Sequence, residues 1–177
     1  MANRAYLFCS DCDPNEPKTW VNLDVNAGHN YYDSRHGIPL AWFFFFHTNA
    51  VKMVPVTGYG STWQEVKFMA DKHQAIRYFS EKQSLVSLIV GPLLPSDALE
   101  QFLMRIESWP GNCLLVDPSE VVEDGDADAV WFRRITKLIG EDKPDMKALR
   151  EDLGHYSFVN FKNEYQAILN VLGCTYG

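Results

Sequence analysis

The chain has little basic charge, little cysteine and no long apolar run, and each shortage excludes a class of protein. Lys and Arg number 16 against 23 Asp and Glu, for a net charge of -7. The isoelectric point near 5.1 argues against a nucleic-acid surface, which needs clustered Lys and Arg, and against docking on anionic lipid. No stretch approaches the roughly 20 apolar residues of a membrane span. Residues 1–6 lack the apolar core of a secretory signal, so a cytoplasmic location is expected, where the four cysteines, Cys9, Cys12, Cys113 and Cys174, stay reduced. Catalytic signatures are also missing. The Gly-x-Ser-x-Gly nucleophile turn is absent, and no glycine loop ends in Gly-Lys-Ser/Thr. No catalytic residue, cofactor or metal site is assigned from the sequence.

What is present is apolar and aromatic. Hydrophobic residues make up 46% of the 177 positions, enough for one globular domain over residues 1–177 with a sizeable core. Residues 38–46 read Ile-Pro-Leu-Ala-Trp-Phe-Phe-Phe-Phe, five of them aromatic. Such a run must be covered, by a core or by another chain. The first reading makes it the centre of the fold; the second makes it the contact of a homo-oligomer.

Punctuation by Gly, Pro and capping residues divides the chain. Residues 4–9, 51–57, 85–90 and 113–116 read as strands, with a short one at 156–161. The clearest helical pattern covers residues 63–82. Thr62 and Glu65 have capping-box spacing there, and Trp63, Val66, Ala70, His73 and Ile76 recur at helical intervals. Further helices are expected from Ser96 or Asp97 to Ile106, and over 128–139, 144–153 and 163–172, each of these three followed by glycine. A helix start at Pro39 is also expected. The sum is a mixed α+β or α/β single domain, about five or six helices around a small sheet.

Charge is distributed unevenly. Residues 1–95 are balanced, residues 129–177 sum to +1, and residues 96–128 carry nine carboxylates against Arg105 alone, summing to -8. The densest part is Glu120, Glu123, Asp124, Asp126 and Asp128. It reads either as a solvated loop leading into a helix N-terminus or as a docking face for a basic partner. Trp109 and Trp131 flank it as candidate aromatic anchors. Asp124, Asp126 and Asp128 alternate like the start of a calcium loop, but the glycine that should follow is missing and the twelfth position is Ile135, not Glu.

Three smaller groupings carry weaker chemistry. Cys9 and Cys12 have Cys-x-x-Cys spacing without further ligands at metal-site intervals. Gly58-Tyr59-Gly60 precedes the expected helix at 63, as an anion-binding loop would. His29, Asp33, His36 and His47 lie around the tyrosine-rich stretch that begins at Tyr31, and could serve a small enzyme or ligand-binding protein if they met in one pocket.

Met1-Ala2-Asn3-Arg4-Ala5-Tyr6-Leu7-Phe8 resembles the opening of an uncharacterised bacterial family whose members begin Met-Ala-Asn-Arg-Ser-Tyr-Leu-Tyr. Ile38-Pro39-Leu40-Ala41-Trp42-Phe43 is similar to that family's Ile-Pro-Leu segment followed by large apolar residues. The likeness covers about the first 50 positions and carries no catalytic residues. It implies a small acidic protein of the immunity type, paired with a polymorphic bacterial toxin. The expected function is therefore a cytoplasmic binding protein, its partner a basic toxin domain.

Overall fold

A computed structural model describes residues 3–25, 28 and 30–176. Among the described residues, six strands form one antiparallel sheet: β1 (Arg4–Ser10), β2 (Tyr31–Arg35), β3 (Val51–Gly58), β4 (Ser61–Asp71), β5 (Cys113–Asp117) and β6 (Cys174–Tyr176), in the order β3-β4-β5-β1-β2-β6. Five α-helices of the described residues accompany it: α1 (Lys72–Val90), α2 (Ala98–Ser108), α3 (Gly125–Gly140), α4 (Met146–Leu153) and α5 (Glu164–Leu172). The fold is a mixed α+β single domain, as the sequence implies.

The aromatic run is the core. Residues Leu40–Phe45 form a 3-10 helix with Pro39 at its N-cap. A helix with three residues per turn sends side chains in every direction, and one that is apolar all round must be covered all round. Trp42 and all four Phe are 1% exposed or less. Phe43 meets Phe68 of β4 and Phe132 of α3, and Phe45 stacks on Phe79 of α1 with centroids 4.4 Å apart. The Trp42 indole donates to the Leu172 carbonyl at 2.9 Å, which satisfies its one polar atom. Intramolecular burial is complete, so the run has no surface left for contact between copies.

Residues 63–82 depart from the sequence reading. Ser61–Asp71 is a strand, and the helix begins only at Lys72, capped by Asp71, whose carboxylate accepts from the Gln74 N–H at 2.9 Å. Val66, Phe68 and Ala70 also fit a period of two, and pairing along all of β3 selects that period. Gly58-Tyr59-Gly60 is consequently not a helix entry. Tyr59 (φ 50°) and Gly60 (φ 78°) form a two-residue hairpin turn with both central residues left-handed, the type I′ geometry. Residues 85–90 finish α1 instead of forming a strand, because Leu85, Val86 and Ile89 continue its helical face until Gly91.

Residues 156–161 are irregular. Their polar backbone is spent on the aromatic run: the Tyr156 carbonyl accepts from Ile38 N at 2.7 Å, and Ser157 Oγ donates to the Ile38 carbonyl at 2.5 Å. Strands β2 and β6 lie where the sequence reading places no element.

The helices cover one sheet face. Ala5, Leu7, Cys9, Tyr32, Val66, Phe68, Leu114 and Val116 point into that layer. The other face carries Phe8, Val54, Met69, Cys113 and Leu115, and is covered by the connector between β1 and β2 through Trp20 and Leu23. No helix among the described residues is long and apolar enough to cross a membrane.

Candidate functional site

The acidic segment follows β5 and is held rigidly. The Pro118 carbonyl accepts from Val121 and Val122 N–H groups, turning the chain. Asp124 caps α3, accepting from Asp126 N at 3.1 Å and Ala127 N at 3.2 Å. Asp128 does not face solvent, in contrast to the sequence expectation. It is 9% exposed, accepts from the backbone N–H of Glu123 and Asp124, and receives the Tyr156 hydroxyl at 2.5 Å. Its role is to hold the segment, because three donors from separate parts of the chain converge on this one carboxylate. Glu120, Glu123 and Asp126 remain exposed.

Trp109 is not a surface anchor. It terminates α2 at 4% exposure, packs against Tyr32 with centroids 5.4 Å apart, and its carbonyl accepts from buried Lys72 at 2.7 Å. Trp131 is half-buried on α3, between the His155 ring at 4.5 Å and the Arg134 guanidinium at 5.2 Å.

Aromatic and acidic groups meet instead on the sheet face away from the helices. Register places Lys52, Lys67, Asp117, Tyr6, Asp33 and Cys174 on one rung across all six strands. Lys67 is 1% exposed; its ammonium contacts Glu65 at 2.6 Å and Asp117, with the Trp20 ring 5.3 Å away. Arg4 pairs with buried Asp33. Glu120 closes this end of the face by accepting from Arg4 N at 3.1 Å. Tyr6 lies edge-on to Tyr31, and burial, followed by the Glu120 carboxylate, raises its pKa. Trp63 is 39% exposed and donates from Nε1 to Glu65 at 2.7 Å. Glu65, Asp117, Asp33 and Glu120 thus gather around Lys67 and Arg4 beside half-exposed aromatic rings, with Lys52 at the far end of the rung.

No protein family, curated protein or solved structure matches the chain.

Sequence reasoning placed Trp63 on the apolar side of a helix and missed Tyr6 and Trp20. A signal was there: Glu65 and Lys67 alternate with Val66 and Phe68, which puts Trp63 on the charged side of a strand.

The histidine grouping does not assemble. His29 lies outside the described residues. Asp33 is committed to Arg4. His36 (φ 66°) borders a cavity of about 210 Å³ with Tyr156 and Phe158, whereas the His47 ring packs on Tyr78 at 3.6 Å beside a different cavity of about 280 Å³. The Cys-x-x-Cys pair is divided as well. Cys9 packs into the helix-side core, and Cys12 into the opposite cluster, where its carbonyl accepts from the Cys113 thiol at 3.1 Å. Burial pushes the Cys9 thiol up to about 12 and the Cys12 thiol upward too, so neither is poised as a thiolate. Among the described residues, no group of three or more His, Cys, Asp or Glu could hold a metal ion.

Proposed function

We propose that this chain is a cytoplasmic, non-catalytic binding protein that docks on a basic protein surface, and that the partner is a bacterial toxin domain which it neutralises by occlusion. The observation that carries the reading is the gathering of exposed Glu120, Glu123 and Asp126 on a segment fixed by Asp128, next to the face bearing Glu65, Asp117, Trp63 and Tyr6. Carboxylates held by the fold attract a basic partner at long range. Half-exposed aromatic rings supply area that can be buried without ordering a flexible side chain. The toxin as partner comes from the resemblance of residues 1–8 and 38–43.

Affinity capture from the native host, followed by titration of the purified pair, tests the reading. Glu120→Lys, Glu123→Lys and Asp126→Lys combined should slow association at least tenfold at low salt and flatten its salt dependence, while the fold stays intact. Trp63→Ala should speed dissociation. An affinity indifferent to all four changes and to salt rejects the acidic docking face.

A further inference from the structure

A groove of about 630 Å³ lies between α2 and α5, with β2 and β6 as its floor. Its size suits a small organic ligand. The walls are largely apolar: Phe102 and Leu172 are buried at 1% and 7%, and Ile168 and Leu169 continue the surface. Gly173, at φ +87°, lets the chain pass from α5 into the floor, where an added Cβ would stand 2.9 Å from both the Asp33 carbonyl and the Trp42 ring.

Polar groups converge at one end. Phe102 and Trp109 both pack on the Tyr32 ring, with centroids 4.9 Å and 5.4 Å away, and Arg105 lies between them in sequence on the same side of α2 and borders the groove there; Thr175, the cross-strand partner of Tyr32, stands on the same lining. A guanidinium presents five donors in a planar fork, the geometry that grips a carboxylate. Arg105 is also the one cation of the segment 96–128. Asp97 lies eight residues earlier along α2, about 12 Å away at helical rise. It accepts from Gln101 Nε2 at 2.5 Å, so the groove is cationic at one end and anionic at the other.

We propose that this groove binds a small amphipathic monocarboxylate. The carboxylate is held by Arg105 with Thr175 and the Tyr32 hydroxyl, and the apolar body lies along Phe102, Ile168 and Leu172 and stops short of Asp97. At the Arg105 end, charge complementarity and the adjoining apolar walls select an anion with a hydrocarbon tail over a neutral polar molecule, while an ammonium would face Asp97 at the other end. This site is independent of the acidic docking face, and neither stands or falls with the other.

The test is titration of the whole chain with octanoate below its micellar range, followed by amide chemical-shift mapping, in parallel with octanamide and octylammonium. Saturable shifts should cluster at residues 98–105 and 168–175, with octanamide about tenfold weaker, the scale of one charge-assisted bond, and octylammonium should leave the amides of Arg105 and Thr175 unshifted. Arg105→Gln should bind octanoate and octanamide alike. Arg105→Lys, which keeps the charge and loses the fork, should fall between. Both variants should keep the wild-type far-ultraviolet spectrum, because Arg105 is exposed. Absence of saturable shifts, shifts that map elsewhere, equal binding of acid and amide to the wild type, or undiminished preference for the acid in Arg105→Gln overturns the proposal.

Discussion

The Tyr156 hydroxyl donates to the Asp128 carboxylate at 2.5 Å, tying the start of α3 to the irregular chain after α4. The same carboxylate fixes the backbone of Glu123 and Asp124. Tyr156→Phe removes one donor from a buried charge and should cost about 1–3 kcal/mol. Urea unfolding measures the loss, and amide exchange at Glu123 and Asp124 should quicken if the bond orders the acidic segment.

Alkaline pH should destabilise the fold. Burial, and secondarily the Asp128 bond, raises the Tyr156 pKa, and burial raises Cys9 from 9.0 to about 12. Both groups hold their protons more tightly in the fold, so the unfolded chain binds fewer protons at high pH and stability falls as pH rises. For Cys9 the contribution is complete below its ordinary value of 9.0 and is lost as pH rises toward about 12. Urea midpoints taken from neutral pH up to about 10.5 should decline, and the decline should be shallower in Cys9→Ala. An identical slope in that variant would contradict the assignment to Cys9.

Lys67 bridges Glu65 and Asp117 and offsets one of their two negative charges. Lys67→Ala leaves two carboxylates facing each other next to Trp20, and should cost about 3–5 kcal/mol. Lowering the pH enough to protonate the carboxylates should recover part of the loss. A denaturation series at two pH values checks both statements.

Phe45 stacks on Phe79 and also contacts Phe102. Phe45→Ala should cost about 3–5 kcal/mol by creating a cavity in the centre of the core. Calorimetry of this variant beside Phe158→Ala separates burial from aromatic content, because Phe158 is 52% exposed and its removal should change stability by no more than about 0.5 kcal/mol.

The hairpin turn carries a tyrosine where the backbone asks for a residue tolerant of positive φ. Tyr59 is fully exposed at φ 50°, next to Gly60. Asn-Gly is the pair that type I′ turns favour, so Tyr59→Asn should raise stability by about 0.5–1 kcal/mol. A lower melting temperature would mean that the tyrosine contributes something the turn geometry does not reveal.

Local chemistry determined much of this molecule. Apolar density required that residues 38–46 be covered, and they are. Capping residues and glycines marked α2 to α5 to within a few positions, because a helix end is closed by bonds between near neighbours. The sequence also located the acidic excess. Partnership across the sheet was decided only by the tertiary structure. Residues 63–71 satisfy helical and strand periods together, and the pairing of β4 with β3 and β5 made them a strand. Asp33, Asp117 and Tyr6 share a rung only because β1 lies between β2 and β5. Trp109 turned inward and Trp63 outward for the same reason: the side a residue faces depends on which strand or helix covers its neighbour, and that neighbour is far away in sequence.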